Sequence, residues 1–334
     1  MKRSLFAGLC LAGLTASLLA GCGSTGADTT DTLRIGTGST GGSYYAVGSV
    51  YAQLMEEAGL APEVKSTAGS AANLRLLSEG FLQLAIVQSD TLEEAENGTG
   101  AFEGKALSGF SAVAGLYTEA CQLIVAADSG IEEVADLAGM RVSIGEEESG
   151  VLRNAEQILQ ANGLTVEQVD ASYLSFTDSA AALQSGELDA FFITAGAPTT
   201  AVAELAKNTD IRLLSLDERT IDQLTSLYDC YTACTIPAGT YAGQEEEVQT
   251  VGVTAVLVAA DSLTSERVQQ LTSLLLDNTD SLNLSTPVTL SEDPTAGVPV
   301  GFHPGAAACY EALGISVPTG GSGKATAVTG GQDS

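Results

Sequence analysis

"RIGTGSTGGSYYAVG", residues 34–48, decides the fold, because Gly36, Gly38 and Gly41 spell GxGxxG between an apolar run and a helical pattern. "TLRIG" reads as a strand leading into it. Behind it Val47, Val50, Leu54 and Ala58 recur at helical spacing, so an amphipathic helix is expected over residues 43–58. Strand, glycine turn and helix together aim a helix N-terminus and bare backbone N–H groups at one point. A dinucleotide site would also need an acid at the end of the next strand to hold a ribose. That strand ends in Lys65-Ser66-Thr67, with Glu63 at its beginning, so the glycines are left with the simpler task of a tight turn.

The same grammar repeats downstream. "PEVKSTAGS" rises as a strand and turns at Ala68-Gly69-Ser70, where Ser70 is expected to cap a helix carrying Leu74 and Leu77. "LQLAIV" is a continuous apolar run of the buried parallel type, ending in Gln88-Ser89-Asp90. Alternating strands and helices predict α/β layers on a mostly parallel sheet. Past residue 110, "FSAVAGLY" and "CQLIVAADS" are separated only by Thr118-Glu119-Ala120, too close for a helical crossover, and this break reads as a hinge.

A second α/β set follows the hinge: "RVSIG", a helix over Leu152, Ala155 and Leu159, "ASYLSF", a helix from Asp178, "LDAFFI", and a helix near 199–207. "VGVTAVLVAADS" (251–262) then precedes a helix with Val268, Leu271 and Leu275. Two echoes link the sets. LIVAADS (123–129) matches VLVAADS (256–262), and Ile35-Gly36 with Gly41 matches Ile144-Gly145 with Gly150. Two lobes of one architecture, each aiming a glycine turn at a shared crevice, account for both echoes.

The chain opens with Met1-Lys2-Arg3 and "SLFAGLCLAGLTASLLAG", a basic start and an apolar stretch too compact for a mature membrane span. Leu19-Ala20-Gly21-Cys22 resembles a bacterial lipobox, which makes residues 1–21 a lipoprotein signal peptide, Cys22 the lipidated residue and 22–31 a polar tether. Loss of Lys2 and Arg3 moves the formal net charge from −29 to −31, a surface that repels nucleic acid and anionic headgroups. Extracytoplasmic export leaves Cys121, Cys230, Cys234 and Cys309 in an oxidising compartment, and one or two disulfides among them are expected. A metal site from Cys230, Cys234 and His303 is the weaker alternative, since no CxxC pair or second histidine supports it, and no metal or cofactor is called for. The residues from Thr319 are low-complexity and are expected to be disordered.

At the expected strand ends stand Thr37 to Gly42, Thr67 to Ser70, Gln88-Ser89, Ser149-Gly150 and Thr194 to Gly196. These hydroxyls, amides and backbone N–H groups suit a small polar or anionic solute held by neutral donors and helix dipoles. Glu146, Glu147 and Glu148 sit on the Gly145 turn and would oppose an anion, so their side chains are expected to point away. His303 is the sole imidazole and no GxSxG elbow exists, which leaves hydrolase chemistry without its parts; a turn histidine beside Pro304 is the plainer reading.

Taken in order, "IGTGSTGGSYYAVG", "GSAANLRLLSEG", "LAIVQSD", "DSGIEEVADLAGMRVSIG", "FTDSAAALQSGELDAFFITAGAP", "DIRLLSLD", "TIPAGTYAGQEEEVQTVGV" and "FHPGAAACY" resemble the TAXI group of TRAP-transporter solute receptors over residues 32–314. The resemblance implies a two-lobed, type II-like periplasmic-binding-protein fold with hinge strands. Residues 32–117 plus 240–316 would form lobe 1, 118–239 lobe 2, and 317–334 a tail. It also implies a lipid-anchored receptor, not an enzyme, that passes a small organic anion or amino acid such as glutamate or glutamine to a TRAP-type membrane permease. A sensory subunit or surface antigen without a transport role is the alternative. Motif by motif, the ligand contacts implied are Gly38, Ser39, Tyr45, Ser70, Asn73, Gln88, Ser89, Ser149, Gly150 and Gly196. Ala46 stands where the family often has proline, and Val151 where threonine is common. Of the paired tyrosines, Tyr45 is the one expected to reach the solute; Tyr45→Phe and Asn73→Ala are expected to weaken binding without unfolding the chain.

Overall fold

The first unit forms as its pattern predicts: β1 (Leu33–Gly36), α1 (Ser43–Glu57), β2 (Pro62–Lys65), α2 (Ser70–Ser78), β3 (Leu84–Gln88) and α3 (Ser89–Asn97) alternate along the chain. The computed structural model describes residues 32–320. The expected signal peptide 1–21, the expected lipidation at Cys22, the expected tether 22–31 and residues 321–334 lie outside the described residues. On α1 the buried side chains are Tyr44, Val47, Tyr51, Ala52 and Met55, one stripe turned to the sheet. β1 pairs in parallel with both β2 and β3.

The two apolar runs around Glu119 prove to be one strand, β4 (Phe110–Ala126), seventeen residues long. After it come β5 (Arg141–Ser143), α4 (Gly150–Ala161), β6 (Asp170–Ser172), α5 (Phe176–Ser185), β7 (Ala190–Ala195), α6 (Thr200–Ala206), β8 (Ile211–Leu214), α7 (Glu218–Leu227) and β9 (Thr232–Ile236). A second long strand, β10 (Val248–Ala260), is followed by α8 (Ser265–Asp277), α9 (Thr279–Ser285) and α10 (Pro304–Ala312). The sheet runs β2-β1-β3-β10-β4-β7-β5-β6, with β8 on β4 and β9 on β10.

The sheet is mixed rather than mostly parallel. β5 pairs in parallel with β6 and β7, but β10 runs antiparallel to β3, β4 and β9, and β4 antiparallel to β7 and β8. The reason lies in the two long strands: each passes from one α/β set to the other, and the return direction forces antiparallel neighbours. Ala120 of β4 pairs with Gly252 of β10 and also with Ala195 of β7, so the sheet changes partners beside Glu119.

One hydrophobic core joins Ile35, Met55, Leu74, Leu84, Val258, Leu271 and Tyr310. Two more flank the other half of the sheet, one around Val125, Ile144, Ile158 and Phe192, the other around Ile124, Phe191, Val202 and Leu213. Tyr241, Val248, Val251 and Val253, which the sequence division assigns to lobe 1, lie in these latter two cores because the first part of β10 is already paired with β9. The fold is thus mixed α/β and two-lobed, with β4 and β10 common to both halves.

Three local expectations need correction. Ser70 is the first helical residue of α2, with Gly69 at the cap, and its hydroxyl accepts from the Gln88 N–H at 3.0 Å instead of capping the helix. The four cysteines are all free: Cys121 sits on β4, Cys230 faces Glu93, Cys234 is on β9 and Cys309 is on α10 against Gln269. Lastly, the start of the tail is fixed, since Phe302 N donates to Pro318 O and Gly320 N to Phe302 O, both at 2.8 Å.

Candidate functional site

Where the two halves face each other they enclose a cavity of about 40 Å³, measured at the centres of water molecules. The molecular envelope of such a space is at least roughly 180 Å³, suited to a solute of amino-acid size and below the usual range for larger ligands. Gly38, Ser39, Gly42, Ser43 and Tyr44 wall it from the first turn, and Gly69, Ser70 and Gln88 from the next two. The opposite half contributes Glu146, Ser149, Gly150, Phe176 and Thr194. Glu119 comes from the strand the halves share.

Among the helix starts that meet here are those of α1, α2 and α4. The caps of α1 and α2 are Gly42 and Gly69, which have no side chain to satisfy the first N–H groups, while Ser149 caps α4 by accepting from Leu152 N at 3.1 Å. Glycine at the caps of α1 and α2 leaves first-turn N–H groups without a side-chain partner, although at α2 Ala72 N already donates to Glu148 O at 3.1 Å.

Six of the ten residues expected to contact a solute line this cavity: Gly38, Ser39, Ser70, Gln88, Ser149 and Gly150. Four do not. Tyr45 is half-buried outside it, and Tyr44 takes its place, because neighbours on a helix point about 100° apart. Asn73 is wholly buried and acts as a frame: its amide donates to Thr37 O at 2.8 Å and Ile86 O at 2.9 Å, while Thr67 Oγ1 donates to its carbonyl. Ser89 accepts from Thr254 N at 3.1 Å, tying the start of α3 to β10. Gly196 offers its carbonyl to Thr199 Oγ1 at 2.7 Å and Ser43 Oγ at 3.4 Å, and a Cβ there would run into Val288.

The main feature unseen in the sequence is a buried carboxylate. Glu119, 1% exposed, accepts from the Tyr44 hydroxyl at 2.7 Å; Tyr44 in turn lies 3.3 Å from Ser70 Oγ. With the Tyr44 proton spent on Glu119, Ser70 donates to Tyr44 while accepting from Gln88 N, so the hydroxyls form one directed chain. Burial drives the Glu119 carboxyl well above the usual carboxylate range; Tyr44 opposes this and Asp90 adds to it. Glu146 also lines the cavity, contrary to the expectation that it points away, and burial followed by Asp178 raises its carboxyl. Glu148 behaves otherwise: it pairs with Arg75 at 3.3 Å at the rim.

A second polar cluster joins the halves behind the cavity. Gln88 Nε2 donates to Asn154 Oδ1 at 3.0 Å; Asn154 Nδ2 donates to Asp90 Oδ2 at 2.6 Å and to the Tyr231 hydroxyl at 2.7 Å, which itself donates to Gln157 at 2.6 Å. Burial lifts Asp90 to about 6, against the lowering pull of Asn154 and Thr91. Gly150 sits so close that a Cβ would overlap the Gln88 carboxamide oxygen, so this glycine is what lets the halves meet. Arg153 and Glu94, 2.7 Å apart, add an ion pair across the same seam. His303 plays no part: it accepts from Gly305 N at 3.2 Å as the cap of α10, with Pro304 following.

Two α/β halves closing on a polar cavity, with two long strands shared between them, define a periplasmic-binding-protein-like fold. The chain belongs to the NMT1-like family, which matches residues 35–314. Among solved structures it is similar to a protein of Bordetella bronchiseptica RB50, with 17% identity over 88% of this chain and 86% of that one and a TM-score of 0.52. It is also similar to Tv2483 bound to L-arginine, with 14% identity, 78% and 93% coverage and a TM-score of 0.51. The periplasmic aliphatic sulphonate binding protein SsuA from Escherichia coli is 18% identical over 77% of this chain and 73% of its own, with a TM-score of 0.44. At these identities the likeness is one of fold. Among the described residues no helix is long and apolar enough to cross a membrane.

Proposed function

We propose that this chain is an extracytoplasmic solute receptor, held to the membrane through lipid on Cys22, that captures a small amino acid or organic acid and passes it to a membrane permease. The observation that carries this reading is the cavity itself, set between two halves and walled by Ser39, Ser70, Gln88, Ser149 and the glycine-capped starts of α1 and α2. Such a site grips and releases; its ionisable lining, Glu119, Glu146 and Tyr44, includes no imidazole or activated nucleophile, which favours binding without turnover. The lobes are read as 32–117 plus the later 250s onward, and the intervening chain, hinging on β4 and β10. The sequence motifs favour the TAXI group of TRAP receptors, with glutamate or glutamine among the candidate solutes.

Two measurements test this. In thermal or chemical unfolding, a true ligand at a hundred times its dissociation constant should stabilise the chain by about 2.7 kcal/mol. Uptake of that ligand into cells should need this chain, survive ATP depletion and collapse when the ion gradient is dissipated. Uptake that tracks ATP instead would contradict the TRAP assignment, and no dependence on the chain would contradict the transport role.

A further inference from the structure

A receptor for organic anions would be expected to offer its ligand a cation, yet among the described residues no lysine, arginine or histidine lines the cavity. Its charged side chains are both acids. Glu119 lies on the floor, nearly inaccessible, with one oxygen taken by Tyr44 and no hydrogen-bond donor on Oε1 among the described residues. Glu146 lines the cavity from the turn after β5. The starts of α1 and α2 line the same cavity through Ser43 and Ser70. The cavity therefore combines two acids with helix-start donors and holds no cation of its own.

Resting on the receptor reading above, we propose that the solute carries a protonated nitrogen, an ammonium or guanidinium, seated on Glu119, and that this contact selects amino acids and amines over nitrogen-free carboxylic acids. A buried carboxylate without a counter-charge is held protonated by its surroundings, and a cationic nitrogen within hydrogen-bond reach reverses that preference. Proton balance follows directly: Glu119–COOH and R–NH3⁺ give Glu119–COO⁻ paired with R–NH3⁺, and one proton passes to solvent. The groups that bear on this exchange are Tyr44 from α1, Tyr117 from the same strand, Asp90 from α3 and Glu146 from the turn after β5. A carboxylate on the same solute would meet the α1 and α2 N–H groups, which makes an α-amino acid the best-matched shape.

Isothermal titration of the full chain with two sets of probes tests this. The first is glutamate, glutamine, arginine and alanine; the second is 2-oxoglutarate, succinate and glutarate. Expected are binding within the first set only, protons released on binding when buffers of different ionisation heat are compared, and at least a tenfold loss of affinity in Glu119→Gln, whose amide still accepts from Tyr44. Binding by a nitrogen-free acid as tight as by its amino counterpart would overturn the inference and leave the receptor reading intact. So would binding by the first set with no proton released and no change in Glu119→Gln. No binding by either set would overturn both.

Discussion

Asp90 offers the sharpest quantitative handle on the closed arrangement. It is buried where α3 meets α4, and burial lifts its carboxyl from the ordinary 3.8 to about 6. The folded chain then holds a proton across a window in which the unfolded chain has lost it, so the associated stability is present in full below about pH 4 and is gone once the pH has risen through about 6. That separation corresponds to about 3 kcal/mol. Urea unfolding of the wild type and Asp90→Asn at intervals from pH 3.5 to 7.5 isolates it, since the other raised carboxyls remain in both. The wild type should lose about 3 kcal/mol relative to the variant as the pH rises, with the change centred between pH 4 and 6. A flat difference would refute the reasoning and mean that Asp90 stays charged and solvated, as it would if the halves stood apart at that seam.

Other substitutions separate frame from contact. Asn73→Ala removes two buried hydrogen bonds and strands two carbonyls, so it should lower stability by roughly 2–4 kcal/mol in urea unfolding rather than affect binding alone. Tyr45→Phe should leave ligand affinity within twofold by titration calorimetry, whereas Tyr44→Phe, which strips Glu119 of its donor, should change it by about tenfold. Gly150→Ala should weaken binding tenfold or more with native circular dichroism retained, because the new methyl pushes the Gln88 side chain out of the seam. Alkylation of the denatured, unreduced protein followed by mass spectrometry should label Cys121, Cys230, Cys234 and Cys309 alike.

Period and punctuation carried much of this fold. The strand-turn-helix units at β1–α1, β2–α2 and β5–α4 stand out because an apolar run, a small-residue turn and a 3.6 spacing each mark one piece. The polarity of the sheet did not stand out, since direction is set by where β4 and β10 send the chain and not by their composition. Six of the ten expected contact residues line the cavity, all of them at strand ends that the sequence pattern already marks with small or polar residues. Tyr44 and Tyr45 are indistinguishable until the phase of α1 is known, and Asn73 betrays its structural task only through partners just after β1 and on β3. Glu119 was visible as the one acid in a seventeen-residue apolar strand. Between two apolar runs it reads as a hinge; only the pairing of β4 with β10 and β7 around Ala120 shows the carboxyl to be buried, and a buried acid must find a partner.

A structure determined with a bound amino acid is the most direct test. The account predicts the solute between the halves, its ammonium about 3 Å from Glu119 and its carboxylate at the starts of α1 and α2. A solute seated elsewhere, or one whose carboxylate faces Glu119, would contradict it.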